Sequence, residues 1–119
     1  WLFNLRGSDI HYNPVFMGFG FVGKDESYLF VDKTKLPQLL FETLEEEGVV
    51  IDEYNSFYSF LSRIKNKRVF LDPQSANFLI YQSLARNNEI IEETSLISLS
   101  KARKNNTELD GFRRAMKKD

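Results

Sequence analysis

The sequence contains no cysteine. That absence excludes disulfides, thiolate metal sites and cysteine nucleophiles together. A single histidine, His11, leaves no second imidazole for a two-histidine zinc site. No apolar run approaches the roughly 20 residues that span a bilayer, and no signal-peptide pattern opens the chain, so no membrane partner and a cytoplasmic setting are expected. Charge of one sign is lacking as well. Sixteen basic and seventeen acidic residues give a net charge of −1, so no nucleic-acid partner is expected on global charge. Aromatic residues, by contrast, are plentiful. Eleven Phe, five Tyr and one Trp within 119 residues can fill the core of one domain, and leave no length for a second.

The patterning predicts an α/β fold. Val15 to Val22 is apolar on both alternating faces, which reads as a central strand covered on each side. Gly18 and Gly20 share one of those faces and leave room there for a close neighbour. A turn at Gly23-Lys24-Asp25-Glu26 and a strand over 27–31 complete a hairpin. Helices are then predicted over 36–47, stopped by Gly48, over a segment holding Phe57, Phe60, Leu61 and Ile64 with Asn55 or Ser56 as cap, and over 75–86. Short strands fall between them at Val49–Ile51, Val69–Leu71 and Glu89–Glu93. Strands alternating with helices imply a mixed, mostly parallel sheet of about five to six strands, with helices on both faces. The last segment, 101–119, is basic, with seven cations against three acids. It reads as a helix capped by Asn106 or Thr107 that is still running at Asp119. Trp1 to Leu5 is apolar with no polar leader, and both ends are expected to be cuts from a longer chain.

Two constellations could carry chemistry. Asp32, Asp52 and Asp72 each follow a strand. As a carboxylate cluster they would hold Mg²⁺ or Mn²⁺ for phosphodiester hydrolysis, the reading of a ribonuclease-H-like nuclease. As ordinary strand-end aspartates they cap the turns that follow, and this is the preferred reading. The second constellation is the polar loop of Arg6, Ser8, Asp9, His11 and Tyr12. Ser8 sits in no nucleophile elbow and His11 has no motif-fixed serine, so no catalytic residue and no metal ligand is assigned. Arg6 either tightens the loop by pairing with Asp9 or aims its guanidinium at a partner.

Trp1-Leu2-Phe3-Asn4-Leu5-Arg6-Gly7-Ser8-Asp9-Ile10, followed by Tyr12-Asn13-Pro14-Val15-Phe16, resembles the middle domain of the three-domain Xaa-Pro aminopeptidases of the pita-bread metallopeptidase superfamily. Ser100-Lys101-Ala102-Arg103-Lys104-Asn105, then Glu108-Leu109-Asp110-Gly111-Phe112-Arg113, resembles the junction leading into that family's catalytic domain. The resemblance implies a creatinase-N-like fold, related in topology to ribonuclease H, over 1–104, and the start of the helix into the catalytic domain over 105–119. It further implies that Trp1–Leu5 ends a helix, and that a preceding sheet strand is missing, leaving an open edge. Activity, by the same resemblance, belongs elsewhere. Two divalent metal ions, usually Mn²⁺, in the catalytic domain cleave the bond before a proline at the second position of a peptide. This chain is then a non-catalytic scaffold without cofactor of its own. Its partners would be its own catalytic domain and such peptides, within a homo-oligomeric parent. The Arg6–Tyr12 loop would face the substrate cleft. His11 stands where the family pattern has proline. A stand-alone interaction module of the same fold is the alternative.

Overall fold

A computed structural model describes residues 1–117 of the chain. The apolar run at 15–22 becomes a strand only from Gly18: β1 spans Gly18–Val22 and β2 spans Ser27–Val31. They pair antiparallel, with Gly18 opposite Val31. The turn closes where Gly23 N–H donates to Glu26 O at 2.8 Å. α1 (Gln38–Glu46) then crosses over to β3 (Val49–Glu53), which lies parallel to β2. α2 (Phe57–Arg63), β4 (Arg68–Leu71), α3 (Phe78–Ala85) and β5 (Glu89–Glu92) follow, with β4 and β5 parallel. Two helices end the chain, α4 (Leu96–Ala102) and α5 (Asn106–Met116).

The mixed α/β architecture led by a hairpin agrees with the sequence reading, and the predicted strands all exist. They form two sheets, of order β1-β2-β3 and β4-β5. β1 is consequently an edge among the described residues, not a central strand, and alternates between exposed and half-buried positions. The central strand of that sheet is β2, flanked on both sides. Its alternating side chains supply both layers of the core. Leu29 and Val31 join Val49, Ile51 and Leu44 of α1 on one face, packed by Phe3, Leu5 and Phe16. Phe30 joins Phe57 and Leu61 of α2 and Leu84 of α3 on the other. Helices thus cover both faces, and each fully buried side chain contributes about 1.5–3 kcal/mol. The close neighbour expected at the paired glycines is aromatic: a Cβ on Gly18 would lie 2.9 Å from Phe16 Cε2, and one on Gly20 3.5 Å from Phe3 Cε2.

Helix boundaries moved where polar side chains compete for the first turn. α1 starts at 38 rather than 36. Asp32 caps a 3₁₀ turn over Lys33–Lys35, and Pro37 then opens the helix. α3 starts at 78 rather than 75, because Asn77 Oδ1 accepts from Ile80 N–H at 2.9 Å. Ser56, one of the two cap candidates, does stand at the N-cap of α2, but its side chain makes no capping hydrogen bond. A 3₁₀ turn over Tyr54–Ser56 runs straight into it, and Ser56 is already helical in its backbone. The cap of α5 is Asn105, not Asn106 or Thr107. Asn105 and Glu108 satisfy each other's backbone N–H groups in a reciprocal pair. That helix ends at Met116 with Lys117 as its C-cap, so the expected run to Asp119 stops short, and Asp119 itself lies outside the described residues. Trp1–Leu5 holds one turn, in which Asn4 N–H donates to Trp1 O at 3.0 Å and Asn4 takes φ +50°, a left-handed residue of the kind that closes a helix. α4 had no counterpart in the sequence reading.

Candidate functional site

The loop singled out in the sequence folds as a narrow tongue. Gly7 N–H donates to Pro14 O, Asp9 N–H to Val15 O at 3.1 Å, and Asn13 N–H to Ile10 O at 3.2 Å. Gly7 is required at its base, since a Cβ there would sit 2.6 Å from Phe16 Cβ. Asp9 is the anchor. Its carboxylate accepts from Met17 N–H at 2.8 Å and from Lys35 Nζ at 2.8 Å. Of the two alternatives for Arg6, the pair with Asp9 is not made: Lys35 takes the carboxylate, and Arg6 donates instead to Asn4 Oδ1 at 3.3 Å. Ser8 and His11 are both exposed. At the tip, Tyr12 is fully exposed (105%) and holds φ +64°. An L-residue other than glycine or asparagine rarely adopts that backbone. The left-handed backbone sits at the second central position of the turn that the Asn13 N–H to Ile10 O bond closes, so the turn holds the strain while the ring itself packs on nothing in the core.

The three aspartates are kept apart, two of them in separate turns and one within a strand. Asp32 accepts from the Thr34 hydroxyl at 2.6 Å and from Thr34 N–H. Asp52 lies inside β3, bonded to Glu53 N–H and 3.9 Å from Lys33 Nζ. Asp72 accepts from Gln74 N–H and, across 23 residues, from Ser95 N–H at 2.9 Å. It thereby fastens the entry of α4 to the end of β4. Among the described residues no group of three His, Asp or Glu side chains could hold a metal ion. The geometry does not gather a carboxylate cluster, and it supports the capping reading for Asp32 and Asp72 but not for Asp52, which caps no turn.

These ties set a pH dependence. The bonds from Lys35 and then Met17 N–H hold the Asp9 carboxyl below its ordinary value. Those from Ser95 and Gln74 N–H do the same for Asp72. Both folded values lie below the unfolded ones, so their stabilisation is complete above the ordinary carboxylate range and is lost as pH falls through it. In urea melts, the midpoint should stay level from pH 7 to about 5 and drop below about pH 4. The drop should be shallower in Asp9→Asn and in Asp72→Asn.

A second feature lies between the two sheets. A cavity of about 1210 Å³ runs between the unpaired edge of β1 and β4. Phe19 and Phe21 line it from one side, Val69 and Leu71 from the other, with Leu96 of α4 and Trp1 at its walls. Sequence reasoning foresaw an open edge but not this shape. It missed Lys35 and the Asp72–Ser95 tie entirely, since each joins residues more than twenty positions apart.

A family model described as the creatinase/prolidase N-terminal domain matches residues 1–108. The chain is 38% identical over 121 residues to Xaa-Pro aminopeptidase 1 of Dictyostelium discoideum, covering all of this chain and 19% of that protein. It is 36% identical over 129 residues to a probable Xaa-Pro aminopeptidase P of Neurospora crassa, again with 19% of the relative covered. A crystal structure of the X-prolyl aminopeptidase of Caenorhabditis elegans, described as cytosolic with a di-nuclear active site, superposes with a TM-score of 0.85 and 32% identity. That match covers 96% of this chain and 20% of the nematode chain. The chain spans about one fifth of the length of each of these relatives. On its fold, its two end motifs and this match over nearly its whole length, the chain belongs to the creatinase/prolidase N-terminal domain family.

Proposed function

We propose that this chain is the non-catalytic domain of a metal-dependent aminopeptidase that removes an N-terminal residue preceding proline. The observation that carries the reading is the end-to-end match to Xaa-Pro aminopeptidases, of which the chain accounts for one fifth. The domain scaffolds the catalytic domain and helps enclose the substrate cleft. Residues 1–104 form the domain proper, and 105–119 begin the helix into the catalytic domain. Two divalent ions, manganese by family resemblance, belong to that other domain. The residues present here do not fit a dinuclear centre, with His11 alone and no cluster of acids among the described residues. A homo-oligomeric, cytoplasmic parent completes the reading, and the cytosolic nematode relative supports the location.

Within this reading, the tongue of Arg6, Ser8, Asp9, His11 and Tyr12 faces the cleft. Its support is Tyr12, a fully exposed aromatic side chain held at the tip of the tongue on a left-handed turn residue where glycine or asparagine would be less strained. The cavity between β1 and β4 is the place of a strand that precedes Trp1 and joins the two sheets into one mixed sheet of six strands.

The test uses the full-length chain. Tyr12→Ala should raise KM for an Xaa-Pro peptide roughly tenfold, equivalent to about 1.4 kcal/mol of lost binding. Tyr12→Gly should do the same while raising stability by up to about 1 kcal/mol, as the left-handed strain is relieved. Unchanged kinetics in both variants would remove the tongue from the cleft.

A further inference from the structure

The carboxylate of Asp9 ties its own loop to two other segments, eight and 26 residues away in sequence. It belongs to the tongue, and its Oδ2 accepts from the N–H of Met17, just before β1. Both its oxygens lie 2.8 Å from Nζ of Lys35, on the 3₁₀ turn after β2. Only 17% of the Asp9 side chain remains exposed, although the loop around it is open to solvent. The turn that carries Lys35 is itself fixed. Asp32 caps it through Thr34, and Lys35 N–H donates to Asp32 O at 3.0 Å. The backbone bonds within the tongue, in contrast, run only between its own two arms. They define its shape but not its angle to the sheet. The Asp9 ties to Met17 and Lys35 supply that angle.

We propose that Lys35 is a positioning residue, which latches the tongue through Asp9 so that Tyr12 meets the substrate cleft at a fixed angle. The proposal rests on the tongue facing the cleft, as argued above. An ordinary surface ion pair adds stability of about 0–1 kcal/mol and nothing else. A latch has a different signature. Releasing it lets the tip wander and weakens substrate binding, while the core beneath is untouched.

Three variants of the full-length chain test this, with Tyr12→Ala as reference. Lys35→Met should raise KM for an Xaa-Pro peptide roughly fivefold with kcat within about twofold, and should move the melting temperature by no more than about 2 °C. Asp9→Asn should reproduce it, since the amide oxygen still accepts from Met17 N–H but the ion pair is gone. Lys35→Arg should restore KM to within about twofold, because a guanidinium reaches both carboxylate oxygens. Hydrogen exchange at Met17 and Asp9 N–H should quicken in Lys35→Met and recover in Lys35→Arg. A wild-type KM in Lys35→Met, beside a raised KM in Tyr12→Ala, overturns the latch alone. A joint fall of kcat and melting temperature that Lys35→Arg does not rescue also overturns it, as a plain structural tie. Unchanged kinetics in Tyr12→Ala remove the cleft-facing tongue, and the latch with it.

Discussion

Phe30→Ala costs the domain about 3–5 kcal/mol, the range for truncating a buried phenylalanine. Phe30 is wholly buried on the central strand β2. Its ring meets Phe57 at 5.2 Å and Phe60 at 5.0 Å, both from α2, and stacks with Tyr28 at 6.1 Å. Removing it therefore empties the joint between the sheet and the layer formed by α2 and α3. Stability of a domain this size is typically 5–15 kcal/mol, so the loss is a large part of the whole. The check is chemical denaturation of Phe30→Ala and Phe30→Leu. The leucine variant keeps most of the volume and should lose less than half as much. Equal losses in the two would mean that ring stacking, not volume, holds the layer.

That result can be anticipated from sequence only in part. The apolar run Tyr28–Val31, between turns, marks a strand, and the strand period of two puts Phe30 on the face opposite Leu29 and Val31. What the pattern cannot show is which strand is central. Val15–Val22 has the longer apolar run and so reads as more buried, yet β2 is the strand with a neighbour on each side. Pairing is a long-range property, and a run of side chains reports only how much apolar surface must be covered. Some of the apolar surface on β1 faces the cavity instead of the core.

The candidate site divides in the same way. Gly7-Ser8-Asp9 and Asn13-Pro14 announce a turn-rich loop, and the motif around them carries the family resemblance. The loop's anchor was misread because Arg6 is near Asp9 in sequence and Lys35 is not. An ion pair across 26 residues leaves no local trace. Tyr12 left none either, since tyrosine is a poor candidate for φ +64° and propensity argues against it. Such a conflict between local preference and observed backbone is where function is expected to override stability. Asp72 lay between these cases. Asp72-Pro73 predicted its turn, and only folding revealed that it also reaches Ser95.

Extending the chain at its amino end, by the strand that the proposed function places ahead of Trp1, should close the cavity between β1 and β4. The argument is one of unmet hydrogen bonds. Among the described residues β1 pairs only with β2, and β4 only with β5, so each presents an unpaired edge to the same apolar space. A strand laid between them would satisfy both rows and cover Phe19, Phe21, Val69 and Leu71. The melting temperature of the extended chain should rise by at least about 5 °C over residues 1–119, which corresponds to roughly 1 kcal/mol in a domain of this size. Amide exchange at Gly20, Val22, Arg68 and Phe70, whose N–H groups point away from the existing partners, should slow together, because one strand protects both edges in a single cooperative step. A proline at the centre of the added segment removes a ladder donor and should abolish both effects. Residues 1–119 alone should associate with rising concentration through the uncovered edges, and the extended chain should not. Protection confined to β1, with β4 still exchanging freely, would leave two separate sheets and refute the six-stranded arrangement.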